Sequence, residues 1–318
     1  MTLLKKALTL LCLLAAGAAI AQTYPTKPVR LVLPYATGGE IDAVARDLAR
    51  KLEDKWKQPV IVDNRPGAGS VIGTDAVAKA DPDGHTLLLA SFGFVTNQIL
   101  MRSLPYDPAS LAPLIRLAMA PNILYVTSSV PGSTAKEVAE YARSKPGQLS
   151  FASTGNGSSP HIVAEMFAVM AGATITYVPY KGTAPAVTDL LGRHVQAIFG
   201  TMSLMPHTKD GKLRALTVAN QTRLIGAPYV PTTAESGLPG LLSAAWYGLF
   251  LPAKVDPALR QKIYADLREV AEQEETRQRL IQIGLEPATL DSNQFGAFLK
   301  AEHSKWGDVI RQRNIRLD

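Results

Sequence analysis

Cysteine is nearly missing from this 318-residue chain: Cys12 is the only one. It lies inside an N-terminal segment, MTLLKKALTLLCLLAAGAAIAQ, that reads as an export leader. Lys5 and Lys6 form a positive start and Ala7 to Ala16 an apolar middle. Ala19-Ile20-Ala21 is a small-x-small cleavage pattern that makes Gln22 the new N-terminus. The stretch is short for a spanning anchor, and Cys12 follows Leu11 without the small residues that precede a lipid-modified cysteine. Loss of residues 1–21 removes the only thiol, and with it any disulfide, cysteine nucleophile or cysteine-based metal site. An exported chain without disulfides must be held by a large apolar core. The roughly 300 residues that remain are enough for two domains.

Long apolar runs are missing after the leader, with none near about 18 residues, so the mature chain is expected to be soluble and periplasmic. Clustered positive charge is missing too. The formal net charge of +6 falls to +4 as Lys5 and Lys6 leave, and no run of five or more basic residues occurs. No nucleic-acid surface is therefore expected. The five histidines (His85, His161, His194, His207, His303) include no pair at ligand spacing, so no metal site is expected. There is no Gly-x-Ser-x-Gly elbow and no spaced carboxylate pair, so the expectation is no enzyme and no cofactor. Gly67-Ala68-Gly69-Ser70-Val71-Ile72-Gly73 resembles a dinucleotide fingerprint only loosely, because its spacing is wrong.

What is present is an alternation of apolar runs and amphipathic stretches, the pattern of α/β units. Strands are expected at Val29–Pro34, Pro59–Val62 and Thr86–Ser91, with helices over Ile41 to Leu52 and Val71–Ala80. Ile115 to Thr127 reads as one long extended stretch, and Thr134-Ala135-Lys136-Glu137 as a capping box. A second series follows: strands at Leu149–Ala152, Ile175–Pro179, Val195–Phe199 and Leu213–Val218, with helices at Pro160–Met170 and Ala184–Leu191. Trp246–Leu251 reads as a return crossing. Asp256-Pro257 opens one helix and Asp291 another, and both are expected to pack back on the first series. The division is therefore residues 22–120 plus 245–318 for lobe one and 121–244 for lobe two. Two crossings, near 120 and near 245, imply a hinge with a cleft beside it.

Two segments share one design. Leu31-Val32-Leu33-Pro34 runs into Tyr35-Ala36-Thr37-Gly38-Gly39 and a helix. Ser150-Phe151-Ala152 runs into Ser153-Thr154-Gly155-Asn156-Gly157-Ser158-Ser159, with Pro160 expected at the first helical position. Glycines let successive N–H groups point outward, and a helix N-terminus adds unpaired donors and partial positive charge. One such loop is an ordinary strand-to-helix turn; two, one per lobe, read as the jaws of an anion clamp. Glu40 would repel a bound anion and is expected to point away, while Asp42 is expected to brace the first loop by accepting backbone N–H groups. His161, at a helix N-terminus, is either a ligand donor or a support.

The stretches Pro34-Tyr35-x-x-Gly38-Gly39-x-x-Asp42-x-x-Ala45-Arg46 and Val62-Asp63-Asn64-Arg65-Pro66-Gly67-Ala68-Gly69 resemble the Bug-type receptors of tripartite tricarboxylate transporters. So do Asp81-Pro82-Asp83-Gly84-His85-Thr86, Leu104-Pro105-Tyr106-Asp107-Pro108, Ser153 through His161, Pro179-Tyr180-Lys181-Gly182 and Pro231-Thr232-Thr233-Ala234-Glu235-Ser236-Gly237. The resemblance implies a type II periplasmic-binding-protein fold, two α/β lobes joined by crossing strands with the ligand cleft between them. It also implies a small carboxylate as ligand, integral-membrane transporter subunits as partners, and a monomer. Ligand contacts are then expected from Tyr35, Ala36, Thr37, Gly38, Gly39 and Ser91 on one side. The other side offers Ser153, Thr154, Asn156, Ser159, His161, Tyr180, Lys181, Gly182 and Thr183. Thr37 and Glu40 depart from the usual residues around the two glycines, which puts ligand identity in question more than binding mode. A periplasmic hydrolase and a ligand-binding sensor or adaptor are the competing readings.

Overall fold

The computed structural model describes residues 24–312 apart from 225, so the leader and its cleavage site lie outside the described residues. Strands gather into two sheets. The first contains β1 (Val29–Leu33), β2 (Val60–Asn64), β3 (Thr86–Ala90), β4 (Leu111–Pro121), β10 (Ala244–Pro252) and β11 (Glu286–Leu290), in the order β11-β4-β10-β3-β1-β2. The second contains β5 (Ile123–Thr127), β6 (Ser150–Ser153), β7 (Thr176–Pro179), β8 (Ala197–Gly200) and β9 (Leu213–Val218), in the order β7-β6-β8-β5-β9.

In each sheet the parallel core is made by helical crossovers. β1 pairs parallel with β2 and β3, and β6 with β7 and β8. The crossovers in the first sheet are α1 (Glu40–Trp56) and α2 (Val71–Ala78); in the second they include α5 (Ser159–Ala171) and α6 (Thr183–Leu191). Strands covered on both faces read as near-continuous apolar runs; in β1 Val29, Leu31, Val32 and Leu33 are each at most 1 % exposed, and only Arg30 reaches the surface. On α1, Ile41, Val44, Ala45, Leu48 and Leu52 form the buried stripe at helical spacing. Lys57 ends it in a left-handed turn, its N–H returning to the Glu53 carbonyl. The capping box at Thr134 opens α4 (Ala135–Ser144), with the side chains of Thr134 and Glu137 each taking the other's backbone N–H. Asp256 caps α8 (Pro257–Glu272) by accepting from Ala258 and Leu259.

The two sheets are joined where the expected long extended stretch breaks. β4 ends at Pro121, Asn122 makes the passage, and β5 begins in the other sheet. β10 returns beside it, pairing Ala244 with Pro121 in an antiparallel ladder with β4. The two passages are bonded to each other: the Asn122 N–H donates to Ser243 O at 3.0 Å, and the Ser243 hydroxyl to Asn122 Oδ1 at 3.0 Å. Asn122 is fully buried, and its carbonyl also takes the Ala219 N–H at 2.7 Å.

Past β10, the C-terminal helices return to the first sheet as expected. α10 (Ser292–Gln312) lays Phe295 and Trp306 into the core, and Gly248 of β10 leaves the room that the Phe295 ring fills. Burying a ring of this size is worth about 3–5 kcal/mol by the cost of its truncation. Four elements were not foreseen: β11, α3 (Gly93–Leu100), the short α7 (Pro206–Lys209), and a break that makes α9 (Glu274–Gln282) separate from α8.

Candidate functional site

The first glycine loop, between β1 and α1, is braced from within. Asp42, in the first turn of α1, accepts the Gly38 N–H at 3.1 Å and the Asn64 amide at 3.0 Å, and holds Arg46 through two bonds of 2.9 and 3.1 Å. Asn64 also donates to Tyr35 O at 3.1 Å, so both ends of the loop hang on one cluster. Burial pushes the Asp42 carboxyl up, but the bonds from Arg46, Asn64 and Gly38 outweigh it and hold it below the ordinary aspartate value. Gly38 sits at φ +87°, a conformation that favours glycine. Asp42 thus has the bracing role expected of it.

The second glycine loop, between β6 and α5, is organised around Tyr177. Its hydroxyl bridges Ser153 Oγ at 2.8 Å and Asn156 Oδ1 at 3.1 Å, while Ser153 Oγ also accepts the Gly155 N–H at 3.2 Å. The His161 ring stacks on Tyr177 with centroids 4.1 Å apart, and its Nδ1 accepts the Gly157 N–H at 3.0 Å. Burial pulls His161 down to about 4, so the ring is neutral and serves as acceptor.

The loops face each other across the junction between the sheets and touch directly. The Ala36 N–H donates to Lys181 O at 3.0 Å, the Thr96 hydroxyl to Gly157 O, and the Thr201 hydroxyl to the Glu40 carboxylate. Gly69 packs on the other lobe so closely that a Cβ there would lie 2.6 Å from Asn156 O. The lobes are closed on one another.

Between them remains a cavity of about 50 Å³. A site of that size takes roughly three to five water-sized centres, or a short chain of ligand atoms. Of the residues expected at the ligand, Tyr35, Ala36, Gly39 and Ser91 line it from one lobe, and Thr154, Ser159, Gly182 and Thr183 from the other. The remaining seven are placed elsewhere. Thr37 and Gly38 are exposed, turned out by the loop. Ser153, Asn156 and His161 are spent on the internal bonds just described. Tyr180 donates to Asp189 at 2.6 Å, and Lys181, exposed, meets the opposite lobe through its carbonyl.

Glu40 is a correction. Expected to point away, it turns inward, lines the cavity and gives one oxygen to Thr201 and the other to the Tyr247 hydroxyl. The reason is its place in the first turn of α1, whose N-terminus is aimed at the cavity. Burial raises its carboxyl above the ordinary value, with Thr201, Tyr247 and Ser203 pulling it back.

Four helices, not two, begin at this cavity. Gly39 and Glu40 start α1, Phe92 and Gly93 start α3, Ser158 and Ser159 start α5, and Gly182 and Thr183 start α6; all eight line it. Each helix start carries unpaired N–H groups and about half a positive charge. Among the described residues no Lys, Arg or His lines the cavity, so the donors it offers an anion are backbone N–H groups and hydroxyls. Among the same residues no group of three His, Cys, Asp or Glu side chains could hold a metal ion. No helix of the described residues is long and apolar enough to cross a membrane.

Two α/β lobes, joined by a bonded pair of crossings and closed over a cavity ringed by helix starts, define a two-lobed solute-binding protein of the type II periplasmic kind. Comparison with known proteins places it more finely. The model of the tripartite tricarboxylate transporter family receptors matches residues 44–315, and the chain belongs to that family. Protein BugT of Bordetella pertussis is 35 % identical over 301 residues, covering 93 % of this chain and 92 % of the relative. An R. palustris protein solved with adipate superposes with a TM-score of 0.87 at 32 % identity, covering 92 % of this chain and 99 % of its own. The periplasmic binding protein BugD gives 0.87 at 30 % identity with the same coverage, 92 % and 99 %.

Proposed function

We propose that the chain is a periplasmic receptor, acting as a monomer, that captures a small carboxylate between its lobes without chemical turnover. It then delivers the ligand to the integral-membrane subunits of a tripartite transporter. The observation that carries this reading is the convergence of four helix N-termini on one cavity: a carboxylate is met by donors that need no charged side chain. The solved relative with adipate supports the ligand class. The proposed lobes, residues 22–120 plus 245–318 and residues 121–244, are supported by the membership of the two sheets. Thr154 and Ser159 supply hydroxyls from lobe two and Ser91 from lobe one. Ser153, Asn156 and His161 act as supports of the second loop.

A panel of small acids, adipate among them, should contain members that raise the melting temperature, since a ligand that binds only the folded state stabilises it. The best of them should be recovered unchanged in mass after incubation. Thr154→Val removes a cavity hydroxyl at nearly constant shape. Losing a hydrogen bond to a charged group costs about 1.5–3 kcal/mol, so calorimetry should show affinity falling roughly ten- to a hundredfold. His194→Ala, on the exposed surface, should bind normally. Failure of every acid to stabilise the protein, or consumption of the bound one, would remove this reading.

Export has its own check. Intact mass of the protein from a periplasmic extract should correspond to a chain beginning at Gln22, and recovery of the full-length chain from the cytoplasm would refute the leader.

A further inference from the structure

Glu40 is a buried acid in a cavity suited to an acid. The residue is only 9 % exposed, and its oxygens accept from Tyr247 of the first sheet and Thr201 of the other lobe. Among the described residues none of the ion pairs includes Glu40. An ionised carboxylate has about four acceptor sites, so the hydroxyls of Thr201, Tyr247 and Ser203 leave part of its capacity free. Those of Thr201 and Tyr247 also fix its orientation, one from each side of the closed junction.

A second carboxylate laid beside Glu40 meets like charge in a site from which closure excludes water, where charges are poorly screened. An ammonium meets the opposite. Resting on the reading of this cleft as an acid receptor, we propose that its ligand is an amino-bearing carboxylate. The carboxylate end is held by the N-termini of α3, α5 and α6, and the ammonium by Glu40. The cavity then has two poles, a backbone-lined positive one and an acidic one at the start of α1, and a zwitterion fits both.

The pH response separates this from its converse. A dicarboxylate would bind best with Glu40 protonated and so more tightly in acid; an ammonium needs Glu40 ionised and binds more weakly there. The other titratable groups facing Glu40 are the phenols of Tyr247 on β10, Tyr35 on the first loop and Tyr125 on β5. All are pushed above their ordinary value by burial and stay neutral. His207 of α7 lines the groove that also reaches Glu40, so His207→Ala is measured alongside.

The experiment is calorimetry on the leaderless protein with acids paired by the presence of an amine: aspartate against succinate, 4-aminobutanoate against succinate, 6-aminohexanoate against adipate. At least one amino-bearing member should bind tenfold or more above its amine-free partner. Glu40→Gln should erase that preference. In the unmodified protein and in His207→Ala, affinity for the same acid should fall several-fold from about pH 7.5 to about pH 5. The pH series needs no Glu40 variant, so it stands even where E40Q fails to fold. Tighter binding of the amine-free acids, or an amine preference that survives E40Q, overturns the zwitterion and leaves the acid receptor standing. If no acid of either kind binds, the receptor reading itself fails, and this one with it.

Discussion

Gly69→Leu should bind the best acid ligand at least a hundredfold more weakly while folding normally, and scattering should show no compaction on ligand addition. Gly69 sits at φ +61° with the space above it filled by the Asn156 carbonyl, 2.6 Å from where a Cβ would be. That neighbour is backbone of the opposite lobe and cannot swing aside like a side-chain tip. The left-handed conformation alone costs a non-glycine residue roughly 1–2 kcal/mol, open or closed, and lowers the melting temperature without touching the cleft. The steric wedge acts only on closure. Held apart, the lobes cannot both reach the ligand. Losing two charge-assisted bonds from one jaw, at about 1.5–3 kcal/mol each, gives the hundredfold or more. The same joint is packed from the other side by Gly157, whose Cβ would lie 2.8 Å from Asn97 Oδ1, a side-chain tip that can give, so Gly157→Leu should weaken binding in the same direction but less. Normal affinity with normal compaction in both variants would show that the closed arrangement is not the one that binds.

Acid should destabilise the protein through His161. Its ring is neutral in the folded state because burial pulls it down to about 4, against an ordinary value of 6.5. A histidine depressed on folding contributes stability that is fully present above its unfolded value. That stability is lost as pH falls from about 6.5 toward about 4, up to roughly 3 kcal/mol for a shift of this size. Glu165, with Oε1 4.0 Å from Nε2, is pushed up by burial and offsets part of this as it takes up its proton. Buried acids such as Glu40 and Glu302 work in the opposite sense, so the comparison must be with His161→Gln, which keeps a side-chain acceptor but does not titrate. Urea unfolding at about pH 7 and about pH 4.5 should show the native protein losing more stability than H161Q. Parallel losses would mean that the ring is not held neutral.

The two glycine loops were legible in the sequence because their cues are local: a strand, turn-forming glycines, then an amphipathic helix. The helix starts at Gly93 and Thr183 carry weaker cues. Phe92 precedes α3 without a capping side chain, and its run Gly93-Phe94-Val95-Thr96 has no helical alternation of apolar and polar residues. Only the fold, by aiming four such starts at one point, reveals them as a set. β11 escaped because Glu286-Pro287-Ala288-Thr289-Leu290 is a half-exposed edge with a proline in it, composition that disfavours a strand. The inward turn of Glu40 was unreadable for another reason: its partners Thr201 and Tyr247 are 161 and 207 positions away. Polarity singled out Ser153, Asn156 and His161, but nothing local says whether a polar side chain serves a ligand or its own loop.

The bonded crossings at Asn122 and Ser243 decide what kind of movement the molecule can make. Two independent tethers would let the halves twist, slide and rock. Tied to each other, they act more like the pin of a door and favour one swing over twisting or sliding. On such a pin the arcs are small near Asn122 and grow with distance from it. On the proposed receptor reading, a ligand in the cavity beside the pin would be announced as a displacement at the rim.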